Sequence, residues 1–232
     1  MKLSVVLSTH AAAFEAVAFK GDLAASVAKF AGWGYDGVEL AIRDPRLVDP
    51  GELEREVSGH GLVVPAIGTG QAWGEEGLSI TSDDAAVLHA AVDRIKSHIP
   101  LATRLDAVVI LGLIRGVTPS GQTHERSMEY LVEAIRECAA AAAANGVRFA
   151  LEPLNRYETD LVHTVAEGLD LVERVGADIF GLLLDTFHMN IEEPDIEHSI
   201  RSCGSGIFLF HVADSNRWYP GAGHLDFRSV LS

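Results

Sequence analysis

Short apolar runs alternate along the chain with longer segments in which apolar residues recur at helical spacing. The runs are rich in Val, Ile, Leu and Phe, which is typical of strands buried on both faces of a parallel sheet. The longer segments carry helix caps and stops, and they predict helices at 84–101, 125–144 and 164–175. This alternation favours βα units. The predicted strands span residues 3–8, 37–42, 62–67, 107–113, 149–154, 181–185 and 207–212.

Seven predicted strands approach the eight of a closed TIM (β/α)8 barrel, which commonly forms one domain of this length. We therefore expect a single barrel domain over residues 1–232, with the last βα unit missing from the chain. A barrel without one strand exposes two sheet edges. The alternative is an open doubly wound sheet. Its dinucleotide-binding form has no support, because no GxGxxG motif follows the first strand.

Composition and charge narrow the range of partners. The chain of 232 residues is 48% hydrophobic and 22% charged, which is enough for a sizeable core. A net charge of −15 opposes binding to nucleic acid. Two cysteines do not make a disulfide scaffold and favour a reducing compartment. The N-terminus predicts a strand rather than a signal peptide, and no apolar run approaches the roughly 18 residues that span a bilayer. We expect a cytoplasmic protein.

Three consecutive predicted strands end in a residue that is costly to bury without a partner. Apolar runs stop at Glu152, Asp185 and His211, which are separated by 33 and 26 residues, about one βα unit each. In a parallel barrel this spacing places all three at the carboxyl ends of neighbouring strands, where barrel enzymes keep their sites. Taken singly, each residue also fits an ordinary polar position at the start of a loop.

Two carboxylates and one imidazole form a donor set that is rich in oxygen. Such a set suits Mn²⁺, Mg²⁺ or Co²⁺ better than a structural Zn²⁺ site, which prefers more sulfur or nitrogen. The sequence therefore predicts one divalent ion at this end of the barrel, with Glu152, Asp185 and His211 as three of its ligands.

Further polar residues follow the same strands, in loops that supply substrate contacts in barrel enzymes. His188 and Arg217 are candidate donors to substrate oxygens, although His188 equally fits a solvent-facing histidine at a helix start, and Glu158 a solvated carboxylate. Glu39 interrupts an apolar strand, and we expect it to face the interior in a structural role, hydrogen-bonded to neighbours. Weaker candidates for pocket walls are His10, Phe14, Trp73 and Trp218. Histidines expected at the surface are His60, His89, His98, His124 and His198.

Three motifs now carry a family resemblance. LEPLNRYE at 151–158, DTFHMN at 185–190 and HVADSNR at 211–217 resemble the sugar phosphate isomerase/epimerase superfamily of xylose-isomerase-like barrels. Within it they are most similar to the ketose 3-epimerases, the D-tagatose and D-allulose 3-epimerase group. The resemblance extends over nearly the whole chain.

The resemblance implies a TIM barrel with one Mn²⁺, Mg²⁺ or Co²⁺, held by Glu, Asp, His and a final Glu. The first three ligands fall on Glu152, Asp185 and His211, and the fourth lies on an eighth strand, beyond Ser232. In the family, three further residues hold the sugar around its first three carbons. The resemblance places them at Glu158, His188 and Arg217.

The implied reaction is epimerisation of a free keto-sugar at C3, by deprotonation to an enediolate and reprotonation on the opposite face. Glu152 is one of the two carboxylates that this reaction needs. Family members often form dimers or tetramers, which we carry over as an expectation.

Three other functions remain open at this point. An aldose–ketose or hydroxypyruvate-type isomerase could use the same ligands on the same scaffold. An apurinic endonuclease would need further ligands from the third and fourth strands, which end in Ile67-Gly68-Thr69 and Leu113-Ile114-Arg115, and it conflicts with the acidic charge. A non-catalytic sugar-binding protein is the third.

Overall fold

The computed structural model describes residues 1–10 and 19–231. It contains one parallel sheet with helices packed along its outer face. The strands are β1 Ser4–Ser8, β2 Phe19–Lys20, β3 Gly37–Ala41, β4 Ala66–Gly68, β5 Val108–Leu111, β6 Phe149–Leu151, β7 Phe180–Asp185 and β8 Ile207–His211. The α-helices are α1 Leu23–Gly32, α2 Pro50–Gly59, α3 Gln71–Glu76, α4 Ala85–Ser97, α5 Ile99–Leu105, α6 His124–Ala143, α7 Val165–Val175, α8 Thr186–Glu192, α9 Ile196–Cys203 and α10 Phe227–Val230.

All seven predicted strands are present, and the sheet order is β2-β1-β3-β4-β5-β6-β7-β8. The additional strand, β2, has two residues and pairs with the end of β1. From β1 and β3 through β8, each strand follows its sheet neighbour through a connection that contains helix, as parallel pairing requires. The prediction of a (β/α) barrel is confirmed, with the sheet open between β8 and β2 in the part of the chain that the structure describes.

A contact across the sheet shows how strongly it is curled. Glu39 on β3 and His211 on β8 are five strand steps apart, which is about 24 Å in a flat sheet. Their side chains nevertheless meet, with Glu39 Oε2 2.9 Å from His211 Nε2. The strands therefore enclose a barrel interior, and side chains from opposite walls reach each other.

Apolar side chains fill both faces of the sheet, which explains why the strands read as continuous apolar runs. The larger core lies between the strands and the helices and includes Leu40, Leu111 and Phe149. A smaller cluster fills the barrel interior and contains Ala66, Val108, Ile110, Ala150 and Leu183. The five residues of β8 are only half-buried, in contrast to the fully buried β3 and β5.

The predicted helix at 84–101 is divided into α4 and α5 at His98. Pro100, in the first turn of α5, lacks the N–H that a continuous helix would use. The expectation that His98 is a surface residue was wrong, because the ring is fully buried between the carbonyl oxygens of Arg94 and Ile42. The other four helical histidines are exposed, as predicted.

The two cysteines, Cys138 on α6 and Cys203 on α9, are free and buried. Burial raises the pKa of the Cys138 thiol to about 12 and that of Cys203 to about 11, so both are packing residues with little thiolate character. None of the helices described is both long and apolar enough to cross a membrane.

Candidate functional site

The ends of β6, β7 and β8 bring Glu152, Asp185 and His211 together, as the sequence predicts. Glu152 is the residue after β6, and its backbone N–H donates to Leu111 O. Asp185 ends β7, is in register with His211 at the end of β8, and caps α8 through the N–H of Phe187 (2.7 Å). Because parallel strands present their carboxyl ends at one edge, three residues distant in sequence become neighbours.

The side chains of this cluster converge without making tight hydrogen bonds to one another. His211 Nδ1 lies 3.5 Å from Glu152 Oε1 and 3.7 Å from Asp185 Oδ2. Donor atoms of Glu152, Asp185 and His188 all lie within 4.8 Å of one another. Two donors that each lie about 2.1 Å from one ion are separated by about 3 to 4 Å. The distances from His211 Nδ1 to Glu152 and Asp185 therefore fit a shared divalent cation.

The second nitrogen of His211 faces a carboxylate that is buried in the barrel interior. Glu39 is only 6% exposed, and His211 Nε2 donates to its Oε2. Burial alone lowers the pKa of His211, but Glu39, Asp185 and Glu152 outweigh it and hold that pKa well above its usual value. Burial likewise raises the pKa of Asp185, but the neighbouring imidazole of His211, with that of His188, lowers it overall. The expectation that Glu39 is an interior residue with a hydrogen-bonded neighbour is confirmed.

His188 lies on α8 and is 2% exposed. It differs from His211 in which ring nitrogen carries the proton. The backbone N–H of Asn155 (3.2 Å) and its side-chain amide (2.8 Å) donate to His188 Nδ1. The amide orientation follows from Tyr157, whose N–H donates to Asn155 Oδ1. Because Nδ1 accepts, the neutral ring carries its proton on Nε2, which points toward Glu152 Oε1 at 3.9 Å. A solvent-facing His188 is thus excluded, and its ring offers a donor rather than a lone pair.

A polar network links His188 to Arg217. Asn155 also donates to Glu158 Oε1 (3.0 Å), and Arg217 Nη1 donates to the same oxygen (2.6 Å). The guanidinium of Arg217 lies over the ring of Phe187, 4.8 Å from its centroid. Glu158 is therefore a partly buried, paired carboxylate rather than a solvated one. Nothing local in the sequence indicates that Asn155 bridges two site residues.

Arg115 is fully buried beneath Glu152, a position that the sequence did not reveal. Its guanidinium donates to the carbonyl oxygens of Leu111, Gly112, Glu152, Leu161 and Val162. Burial lowers the pKa of Arg115 to about 10, so the residue stays charged at neutral pH. These contacts tie the loop after β5 to the backbone of Glu152 and to residues 161 and 162.

Asp214 organises the loop that carries Arg217. Its buried carboxylate accepts N–H groups from Ser215 (2.7 Å), Gly221 (2.8 Å) and Leu225 (3.1 Å). Arg217 has a left-handed backbone with φ 64°, and its N–H donates to Asp214 O. These hydrogen bonds therefore hold the backbone of the loop around Arg217 in place.

Of the weaker pocket candidates, Trp73 and His10 are half-buried and Trp218 is exposed. Phe14 lies outside the described residues.

We expect Asp214→Asn to disorder the loop and displace Arg217, because the amide sets an NH₂ group against backbone N–H donors. Burial alone would raise the pKa of Asp214, but its N–H donors lower it overall. The hydrogen bonds that order the loop are therefore present above about pH 4 and are lost as the pH falls through the lowered pKa. Limited proteolysis at 214–225 measures both effects. Asp226→Asn, which alters only the cap of α10, is the control.

A curled parallel sheet with carboxylates and imidazoles at the carboxyl ends of its strands defines a (β/α)-barrel of the enzyme type. The chain belongs to the xylose isomerase-like TIM barrel family, whose match covers residues 27–232.

Similar proteins include several ketose 3-epimerases. The chain is 31% identical to the L-ribulose 3-epimerase of Mesorhizobium japonicum over 228 residues, covering 97% of this chain and 75% of that protein. It is 33% identical to the D-psicose 3-epimerase of Ruminiclostridium cellulolyticum over 211 residues, covering 88% and 71%. A crystal structure of D-psicose 3-epimerase determined in the presence of D-fructose superimposes with a TM-score of 0.83 at 26% identity, over 99% of this chain and 79% of that one.

Proposed function

We propose that this protein is a metal-dependent isomerase that epimerises a free keto-sugar at C3. One observation carries the proposal: the carboxylates of Glu152 and Asp185 converge on His211 Nδ1 at 3.5 and 3.7 Å, in a chain similar to ketose 3-epimerases. A base, a cation site and a hydrogen-bond donor in one cluster are what proton transfer next to a carbonyl requires.

Glu152, Asp185 and His211 Nδ1 would hold the ion, with Mn²⁺ the preferred metal and Mg²⁺ or Co²⁺ as alternatives. When bound, the ion polarises the ketose carbonyl and makes the neighbouring C–H more acidic. β8 is half-buried and forms one edge of the open sheet. This exposed edge supports a further proposal. A further barrel strand, from beyond Ser232, would complete the single barrel domain and supply the fourth ligand and the second carboxylate.

Glu152 is the proposed base that removes the C3 proton. The Nε2–H of His188 points toward Glu152 and would donate to the oxygen that gains charge in the enediolate. Arg217, paired with Glu158 and stacked on Phe187, would provide further N–H donors to the sugar. Glu158, His188 and Arg217 together form the proposed sugar-binding group.

The arginines around the site support a free sugar over a sugar phosphate. Arg156 makes a forked contact to both carboxylate oxygens of Glu192, and Arg217 is paired with Glu158. Arg115 donates only to carbonyl oxygens below the site. A phosphate would have to compete with carboxylates for these cations, whereas a hydroxyl group needs no such exchange.

An aldose–ketose or hydroxypyruvate-type isomerase remains the second candidate. Reaction in D₂O separates the two, because a 3-epimerase places deuterium at C3 and an isomerase places it at C1 or C2. We expect free ketoses such as D-psicose, D-fructose and L-ribulose, supplied with Mn²⁺, to give C3-labelled epimers. Aldoses and hydroxypyruvate should give no product. Label confined to C1 or C2 would overturn the proposal in favour of the isomerase.

An apurinic endonuclease is disfavoured by the ends of β4 and β5. Thr69 donates to Ile110 O, and Arg115 points beneath Glu152, so neither supplies a metal ligand. The net charge of −15 also opposes binding to DNA.

We further propose that the protein is cytoplasmic and forms a homodimer or homotetramer. Light scattering of the purified protein measures the oligomeric state.

A further inference from the structure

Glu39 is a buried carboxylate for which the proposed reaction has no use. It lies on β3, where Val38 and Leu40 point toward the helices and Glu39 points into the barrel. A buried carboxylate is costly unless it is paired, and the contact that the structure gives Glu39 is His211 Nε2 at 2.9 Å. No other residue within the described ranges makes a hydrogen bond to His211 Nε2.

This contact decides which nitrogen of His211 faces the cluster as a lone pair. An ionised carboxylate is an acceptor only, so in the neutral ring the proton resides on Nε2. The lone pair then sits on Nδ1, the nitrogen that faces Glu152 and Asp185. His188 shows the reverse arrangement, because Asn155 donates to its ring and turns an N–H toward the site. Two histidines at one site are thus given opposite roles by their outer partners.

We infer that Glu39 is a positioning residue that holds His211 as a ligand, by fixing its tautomer and ring orientation and by increasing the electron density at Nδ1. The inference rests on the proposed metal site and concerns a residue that does not itself touch the ion. Partners of this kind typically change metal affinity by 10- to 100-fold when they are removed.

The test measures Mn²⁺ binding to metal-free protein by calorimetry, without any assay of turnover. We expect Glu39→Gln to weaken Mn²⁺ binding about tenfold, since the amide keeps the size and one acceptor but loses the charge. Glu39→Ala should weaken it by about 100-fold. Asp44→Asn is the matched control, because Asp44 is equally buried but pairs with Arg46 and Arg94 away from the cluster. It should bind Mn²⁺ as the wild type does.

A second readout covers the case in which Glu39→Ala does not fold. Long-range ¹H–¹⁵N spectra of the metal-free protein, recorded at an alkaline pH where the His211 ring is neutral, report the tautomer of His211, assigned with His211→Gln. The wild type should show proton on Nε2 alone, and Glu39→Gln a mixture. Unchanged Mn²⁺ affinity and an unchanged tautomer in Glu39→Gln would make Glu39 merely a core residue. If the wild type and Asp44→Asn bind no divalent ion either, the proposed metal site itself is wrong.

Discussion

Replacing Glu152 by glutamine should reduce ketose epimerisation by at least about a thousandfold while leaving the barrel folded. Glutamine has the same size but cannot take up the C3 proton, and its amide is a weaker ligand than a carboxylate. Because Arg115 holds the backbone of Glu152 through its carbonyl oxygen, the substitution leaves that support in place. Epimer formation and deuterium incorporation at C3 are the measurements, and both should be lost together.

The control for this variant is Glu137→Gln, which removes an exposed carboxylate paired with Lys96 on the outer helices. It should retain wild-type turnover. Calorimetry with Mn²⁺ separates the two roles of Glu152. Weakened binding that excess metal overcomes without restoring turnover indicates a base, and full recovery indicates a ligand only. Normal activity in Glu152→Gln would remove it from the mechanism.

The second large effect concerns the ion. Protein treated with EDTA and then dialysed should lose activity, and Mn²⁺, Co²⁺ or Mg²⁺ should restore it, because the ion would supply the double positive charge that polarises the substrate carbonyl most strongly. Full activity after verified metal removal would contradict the metal-dependent mechanism. Addition of Na⁺ at equal ionic strength is the control.

Metal binding should also depend on pH in a defined direction. The carboxylates around His211 raise its pKa in the metal-free protein, so an ion must displace a proton from Nδ1. The stabilisation by charged His211 is full below about pH 6.5 and disappears as the pH rises through the raised pKa, whereas Mn²⁺ affinity rises over the same range. The difference in Tm with and without Mn²⁺ should therefore widen from pH 6 to pH 8. A constant or narrowing difference would show that His211 does not exchange its proton for the ion.

The strands were predictable because both faces of a barrel strand are buried, which leaves an unbroken apolar run such as 107–113. β2 was not predictable, since two residues carry no periodicity. The apolar run at 62–67 predicts a strand that is longer than the observed β4. In the structure Val63 makes only a single bridge to Gly37, and the strand begins at Ala66. The surface prediction for His98 failed for a related reason. Helical spacing does not reveal where one helix ends and the next begins, and His98 lies buried at that junction.

The convergence of Glu152, Asp185 and His211 followed from the length of a βα unit alone. What Glu39, Asn155 and Arg115 contact could not follow from it, because each contact depends on a partner distant in sequence. The pattern could place Glu39 in the interior but could not say that the opposite wall carries a histidine. For His188, the direction of its proton depends on two donors of Asn155, 33 residues away.

The contact between Glu39 and His211 joins residues 172 positions apart. Contacts of such high sequence separation form slowly, because the intervening chain must first be ordered. A nascent chain cannot form this pair until β8 has been synthesised and the sheet has curled. We therefore expect the proposed ion site to be among the last features to assemble during folding, so that metal uptake would distinguish finished molecules from partly folded ones.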